Sequence, residues 1–278
     1  MSKGSALSAG KQQASGSNQA KILLDRQKER SQTSSGKLRL QQNAAHQALS
    51  AKVHLAASQV EDQQSIFVYP PVRSQNVPLQ IAELIDARLP RGAEPLQLVN
   101  LTLSRGQRVA LVGPNGCGKS TLLKVLAGQL PIISGQAHTF VTAAYLDQHL
   151  TLLEPGLSVL EQLRALNQEL NDSELRTRLA QLGLDANQVN QTCAQLSGGE
   201  RVKAAMACVL YAQQPAQLLL LDEPANHLDL PSIRALESML QQYRGTLIVT
   251  SHDEAFVDAI GITHRLEAST SGWLNISV

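Results

Sequence analysis

The chain has 278 residues, 43% of them hydrophobic, with 24 basic and 23 acidic side chains and a formal charge of +1. No apolar run approaches the roughly 18 residues of a helical membrane span, and the polar N-terminus lacks the apolar core of a signal peptide. A membrane-spanning helix is therefore not expected, and a cytoplasmic protein with core enough for an α/β fold is. Its three cysteines, Cys117, Cys193 and Cys208, form neither a C-x-x-C pair nor a cluster with histidine, so reduced thiols are expected.

The near-neutral total hides an asymmetry. Up to His54 nine basic residues face only Asp25 and Glu29, a charge of +7, whereas the other 224 residues carry fifteen basic against twenty-one acidic groups, or −6. Residues 1–18 are rich in Ser, Gly, Ala and Gln and read as a disordered tail. Residues 19–76 read as a basic helical arm or linker, with Ser34, Ser35 and Gly36 offering a break between two helices. Such an arm is either a solvated face or a surface for phosphate, where lysines and arginines gain affinity by releasing counterions.

The folded domain is expected over 77–278. Leu79–Ile85, Leu98–Leu103 and Arg108–Val112 read as strands, with a turn at Arg105 and Gly106. Directly after the third come Gly113, Pro114, Asn115, Gly116, Cys117, Gly118, Lys119, Ser120 and Thr121, which fit G-x-x-x-x-G-K-[ST]. Glycines in such a loop let backbone N–H groups turn toward an anion. The helix that follows, read as Thr121–Ala127, aims its positive end the same way. Lys119 then reaches the outer phosphates of a nucleotide, and the Ser120 hydroxyl is a ligand for Mg²⁺. Cys117 reads as a small residue that fits, with a thiol activated at a helix N-terminus as the alternative.

Phe140–Leu146 reads as a strand that delivers Asp147 and Gln148. A helical insert follows, over about 150–212. Ser158-x-x-Glu161 is a capping box opening a helix to Leu170, and Asn171-x-x-Glu174 starts a second helix that stops at Gly183. Ser197-x-x-Glu200 is a third capping box. Capping does not ask for Gly198 and Gly199 in the first turn, where glycine weakens a helix, but bare N–H groups there suit a phosphate that comes close. Gln217–Leu221 is a short run with four leucines, as in a central parallel strand, and it delivers Asp222 and Glu223. Asp222 suits Mg²⁺ together with Ser120, and Glu223 can orient the water that attacks a γ-phosphate. Pro231 suits the first position of a helix running to Tyr243. Thr246–Thr250 is a strand that delivers Ser251 and His252. Ligands of open α/β sheets sit outside the carboxyl ends of the strands, where the 113–121 loop, Gln148, Asp222 with Glu223, and His252 all arrive.

GPNGCGKST, Gln148, LSGGE, the LLLLDEPANHLD run of Leu218–Asp229 and SHDEAF over 251–256 together resemble an ATP-binding cassette (ABC) ATPase. The resemblance covers about 79–278, with the motifs in family order. It implies an α/β P-loop NTPase cassette: a mostly parallel core sheet, an antiparallel β subdomain and the helical insert. The implied ligands are ATP and Mg²⁺, and the implied reaction is hydrolysis to ADP and phosphate. By analogy Gln148 is the Q-loop glutamine beside the metal, Glu223 the catalytic glutamate, Asp229 the D-loop aspartate and His252 the switch histidine. Each cassette in this family is half a site: Ser197, Gly198 and Gly199 of one copy close over ATP held by another. The implied partner is a second cassette, in a homodimer or on another protein.

Asn226–Asp229, NHLD, resembles the ABC-F proteins, which carry two cassettes joined by a basic helical linker and lack membrane domains. The chain thus resembles the second half of such a protein with its linker. The resemblance implies ribosomal or transfer RNA as a partner of the arm. Two other readings stay open: the nucleotide-binding subunit of a membrane transporter, and a truncated half-protein that binds nucleotide with little turnover. One departure bears on the base. Family members often place an aromatic residue upstream of the P-loop to stack on adenine, yet no Phe, Tyr or Trp occurs between Tyr69 and Phe140. Arg88 or Arg91 is left to cover the base, and weak or unselective base binding is expected.

Overall fold

The run of four leucines at 218–221 becomes the strand β6 (Leu218–Asp222), in which every leucine is fully buried. In the computed structural model, which describes residues 77–92 and 94–277, it lies inside a six-stranded sheet. The other strands of that sheet are β3 (Arg108–Val112), β5 (Ala143–Leu146), β7 (Thr246–Thr250), β8 (His264–Ser269) and β9 (Gly272–Ser277), in the order β5-β6-β7-β3-β8-β9. All neighbours pair in parallel except β8 and β9, which are antiparallel. The expected tail and basic arm lie outside the described residues.

Alternation along β6 explains why it needs apolar side chains throughout. Leu218 and Leu220 pack into one core with Leu122, Leu123 and Leu126 of the helix Lys119–Leu126. Leu219 and Leu221 pack into a second core with Leu236, Met239 and Leu240 of the helix Leu230–Gln242, and with Phe256. A strand covered on both faces has no side on which a polar residue is free of cost.

A second, antiparallel sheet joins β1 (Gln80–Arg88), β2 (Leu98–Ser104) and β4 (Ser134–Thr139) in the order β2-β1-β4. In β2 the period of two is plain: Val99, Leu101 and Leu103 are buried and their neighbours exposed. β1 slips register between Leu84 and Ala87, where Asp86 takes a left-handed φ of 46° and bonds through its N–H to Asn100 Oδ1 at 2.7 Å. Gly135 on β4 faces that bulge, and a Cβ there would lie 2.7 Å from the Ile85 carbonyl oxygen, so only glycine fits.

The helical insert follows its capping signals. Ser158, Asn171 and Ser197 each cap a helix, with Glu161, Glu174 and Glu200 completing reciprocal capping boxes. The first helix, Val159–Leu166, ends earlier than the sequence suggests, because buried Asn167 leaves the helical region. Its side chain donates to the Tyr211 carbonyl at 2.9 Å and accepts from the N–H groups of Glu169 and Leu170. The expected strand from Phe140 is shorter, beginning at Ala143. Proline sits second in its helix, since Leu230 precedes Pro231. All three cysteines are buried as free thiols, and burial pushes the Cys208 thiol up to about 12, which keeps it protonated.

Arg108 at the start of β3 ties two helix ends to the sheet. Its guanidinium donates to the carbonyls of Leu240 at 2.8 Å, Tyr243 at 3.1 Å and Ile260 at 2.8 Å. These are C-terminal carbonyls of the helices Leu230–Gln242 and Glu254–Ala259, where positive charge is favoured; Leu240 also accepts from the Tyr243 N–H at 3.2 Å. Replacing Arg108 with Met keeps most of the apolar stem but removes the cationic donor from all three acceptors. Chemical denaturation is expected to show a loss of about 2–4 kcal/mol, from the usual worth of charge-assisted hydrogen bonds.

Candidate functional site

The P-loop is shaped by crowding as much as by anion binding. A Cβ on Gly113 would lie 2.6 Å from the Ala268 Cβ on β8 and 3.0 Å from Cys117 Sγ, so the loop can leave β3 only through a glycine. Gly116 and Gly118 take left-handed φ values of 81° and 110°. Gly118 is the N-cap of the helix Lys119–Leu126 and has no side chain to satisfy the first-turn N–H groups, which face the loop as orphan donors. Lys119 Nζ folds back onto the carbonyls of Gly113 at 2.7 Å and Pro114 at 3.2 Å. Cys117 is only 3% exposed and packs against Gly113, which supports the reading of a small residue that fits.

A cavity of about 340 Å³ opens over this loop. Asn115, Gly116, Gly118, Lys119, Ser120 and Thr121 form one wall, Asp222 and Glu223 another, and Arg91 with Gly92 the rim. Asp222 stands at the carboxyl end of β6 with both carboxylate oxygens engaged. Tyr145 Oη donates to Oδ2 and Thr250 Oγ1 to Oδ1, each at 2.8 Å. Burial, reinforced by the Asp222 carboxylate, raises the Tyr145 phenol above its ordinary range, so it remains a donor. Glu223 takes a left-handed φ of 52°, and its N–H is held by the Thr250 carbonyl at 3.1 Å and Thr250 Oγ1 at 3.0 Å. Its Oε1 lies 3.3 Å from His252 Nε2, which also lies 3.2 Å from Asn115 Oδ1. Burial raises the Glu223 carboxyl, opposed by the nearby His252 and Lys119.

The remaining expected residues lie apart from the cavity wall. Gln148 is exposed in the segment after β5. That segment is braced by Asp147, which accepts from Thr151, and by Arg201, which donates to the His149 carbonyl at 2.9 Å. Ser197 caps the helix Gly198–Tyr211, and Asp229 caps the helix Leu230–Gln242 through the Ser232 N–H. Gly199 has a reason the sequence did not reveal: a Cβ there would come within 2.8 Å of the Ser232 Cβ. The glycine allows these two helix starts to pack.

Residues 96–226 match the family model described as ABC transporter. The ATP-binding protein YheS of Haemophilus influenzae is 38% identical over 208 residues, 73% of this chain and 32% of its own length. ABC transporter F family member 5 of Arabidopsis thaliana is 35% identical over 165 residues, 58% of this chain and 24% of its own. A solved chain from an inward-facing ABC transporter of the metal-chelate type superposes with a TM-score of 0.58 at 26% identity. That likeness covers 71% of this chain and 83% of that one. Residues 96–226 thus form an ABC-type ATPase domain, and the chain is similar to members of the ABC-F group. The chain spans about a quarter to a third of the length of these two curated relatives.

Within the cassette, the groups at the cavity fit an Mg²⁺-nucleotide by their donor chemistry. Orphan helix N–H groups and an ammonium suit phosphate, and the Ser120 hydroxyl with the Asp222 carboxylate supplies the hard oxygen donors that Mg²⁺ prefers. Sequence reasoning missed Tyr145, Thr250 and Arg201. For the first two a signal was present: a hydroxyl-bearing residue at or near the carboxyl end of each of two mostly apolar strands, AAYL and TLIVT.

The raised Glu223 carboxyl has a consequence for stability. Between the ordinary carboxylate range and the raised folded value, the native state holds a proton that the unfolded chain has lost. Stability therefore falls as pH rises through that window. Glu223→Gln removes the ionisation, so thermal melting should show the variant more stable than the parent at neutral pH. That advantage should shrink as pH falls toward about 4.3, the unperturbed glutamate value. A difference that stays constant with pH would point to a cause other than the buried charge.

Proposed function

We propose that this cassette binds ATP with Mg²⁺ and hydrolyses it once a second cassette completes the site. The observation that carries this is the convergence of Lys119, Ser120, Asp222 and Glu223 on one cavity, with His252 against Glu223. Lys119 exchanges its contacts with the Gly113 and Pro114 carbonyls for phosphate oxygens, and the first-turn N–H groups take the rest of the phosphate charge. Ser120 and Asp222 would hold Mg²⁺, which would supply positive charge to offset that developing on the phosphate oxygens. Glu223, its basicity raised by burial, accepts a hydrogen bond from the attacking water and aligns it with the γ-phosphorus. His252 sits within reach of Glu223 and is the group to contact the γ-phosphate. Gln148, exposed in the segment after β5, is the residue to turn toward the metal and the water when the site is filled. Ser197, Gly198 and Gly199, with Asp229, serve the site of the partner cassette, in a homodimer or a second protein.

The wider reading is a cytoplasmic, ABC-F-like protein whose basic arm meets ribosomal or transfer RNA. It is supported by the F-family relative, by the +7 charge of the first 54 residues and by the described residues, among which no helix is long and apolar enough to cross a membrane. Glu223→Gln should retain ATP binding, lose at least about 100-fold in turnover and accumulate as a dimer in ATP on sedimentation. Co-sedimentation of that variant with ribosomes in ATP supports the RNA partner, and its absence removes it. Turnover unchanged from the parent would remove Glu223 from this role.

The base is the weakly held part of the nucleotide. Arg88 is ion-paired with Glu94, which leaves Arg91 and Gly92 at the cavity rim, and none of the described lining residues is aromatic. Base stacking on an aromatic side chain is worth about 1–3 kcal/mol. Competition binding is expected to place ATP, GTP and CTP within about threefold of one another, with Mg²⁺-tripolyphosphate about tenfold weaker at most, since the missing stacking is about the same size. A strong preference for ATP would show that the base is read by a group other than Arg91.

A further inference from the structure

We propose that Tyr145 and Thr250 are positioning residues for the divalent cation, holding the Asp222 carboxylate from the two strands that flank it. The inference rests on the Mg²⁺-nucleotide reading above and adds two residues that no motif of the site contains.

Asp222 ends β6, and a carboxylate at a strand end is free to rotate unless something stops it. Here the stop is symmetrical. Tyr145 on β5 bonds Oδ2 and Thr250 on β7 bonds Oδ1, both at 2.8 Å. The two strands are the immediate neighbours of β6 on either side, and Thr250 is paired in register with Asp222. Neither donor can drift. Tyr145 is 8% exposed, with its ring in the core and Lys124 Nζ 5.8 Å from the ring centroid. Thr250 is fully buried.

The direction of the Thr250 proton follows from its second contact. A hydroxyl has one proton to give, and the Glu223 N–H occupies acceptor capacity on the same oxygen at 3.0 Å, so the proton goes to Asp222. One hydroxyl therefore links the metal-side carboxylate to the backbone of the water-side carboxylate. It also helps keep Glu223 at its left-handed φ of 52°, a conformation that costs energy in a residue other than glycine. Fixing a ligand before the cation arrives removes an ordering cost from binding. Partners that orient a metal ligand commonly change metal affinity by 10–100-fold when lost.

The test measures metal and nucleotide separately in the full chain. Free Mn²⁺ is followed by its paramagnetic resonance signal during titration at saturating ATP, and nucleotide affinity is measured in parallel with chelator present. Tyr145→Phe and Thr250→Val are each expected to weaken Mn²⁺ by about tenfold, to leave metal-free ATP affinity within about twofold, and Thr250→Ser to restore the parent value. Thermal melts identify any variant that fails to fold, and Tyr145→Phe, which deletes a single oxygen, keeps the test alive if Thr250→Val does so. Unchanged Mn²⁺ affinity in the folded variants overturns the proposal, as does an equal loss of ATP affinity with and without metal. A parent protein that binds no nucleotide overturns the reading beneath it, and is told apart because the variants play no part in that result.

Discussion

A strand with no polar side chain until its last residue can sit only in the middle of a sheet. Every group at the nucleotide cavity depends on that placement of β6. Leu218–Leu221 exclude water from both faces, and the chain becomes polar at Asp222, where β5, β7 and β3 also end. The P-loop leaves β3, Thr250 closes β7 and Tyr145 leans in from β5, so four parallel strands deliver their chemistry to one edge. Parallel pairing aligns the carboxyl ends of neighbouring strands, and a nucleotide site at such an edge is a consequence of topology before it is one of motif.

The groups at that edge are already paired with one another. Lys119 is held by P-loop carbonyls, Asp222 by two hydroxyls, and His252 by Asn115 and Glu223. Nucleotide binding is therefore an exchange of hydrogen bonds, and the net gain of an exchange is modest compared with the gross strength of each bond. What tips it is charge. Among the described residues that line the cavity, Asp222 and Glu223 are the carboxylates, whereas a triphosphate supplies several negative charges. Glu223 is the group most exposed to this change, because burial already works against its ionisation and Lys119 and His252 work for it. Drawing Lys119 toward phosphate would remove part of what favours the ionised Glu223 carboxylate.

Much of this was legible in the sequence, for reasons that also mark where legibility stops. The P-loop, β6, β7 and the three capping boxes were readable because each is a local pattern whose physical cause lies within a few residues. β4, SGQAHT, was not, since it is a mostly exposed edge strand without apolar alternation, and it is recognisable only by its pairing with β1. β8 and β9 escaped in the same way, being only partly buried. The role of Arg108 was invisible because its three acceptors lie 132 to 152 residues away. Tyr145 and Thr250 were passed over as strand residues: their hydroxyls matter only once the order β5-β6-β7 is known.

Gly199 shows how one residue can answer two demands. Its bare N–H at a helix start suits a phosphate, as the sequence suggested, and the fold adds that Ser232 leaves no room for a side chain. Ser232 is also the residue whose N–H caps onto Asp229. The start of the Gly198–Tyr211 helix and the Asp229 cap are therefore packed through a single serine. Neither Gly199 nor Asp229 lines the chain's own cavity. Two helix starts packed together, with glycines and a carboxylate at their tips, suit the proposed contribution to the site of a partner cassette. Arg201, on the same Gly198–Tyr211 helix, bonds the His149 carbonyl and so joins these helix starts to the segment that carries Gln148.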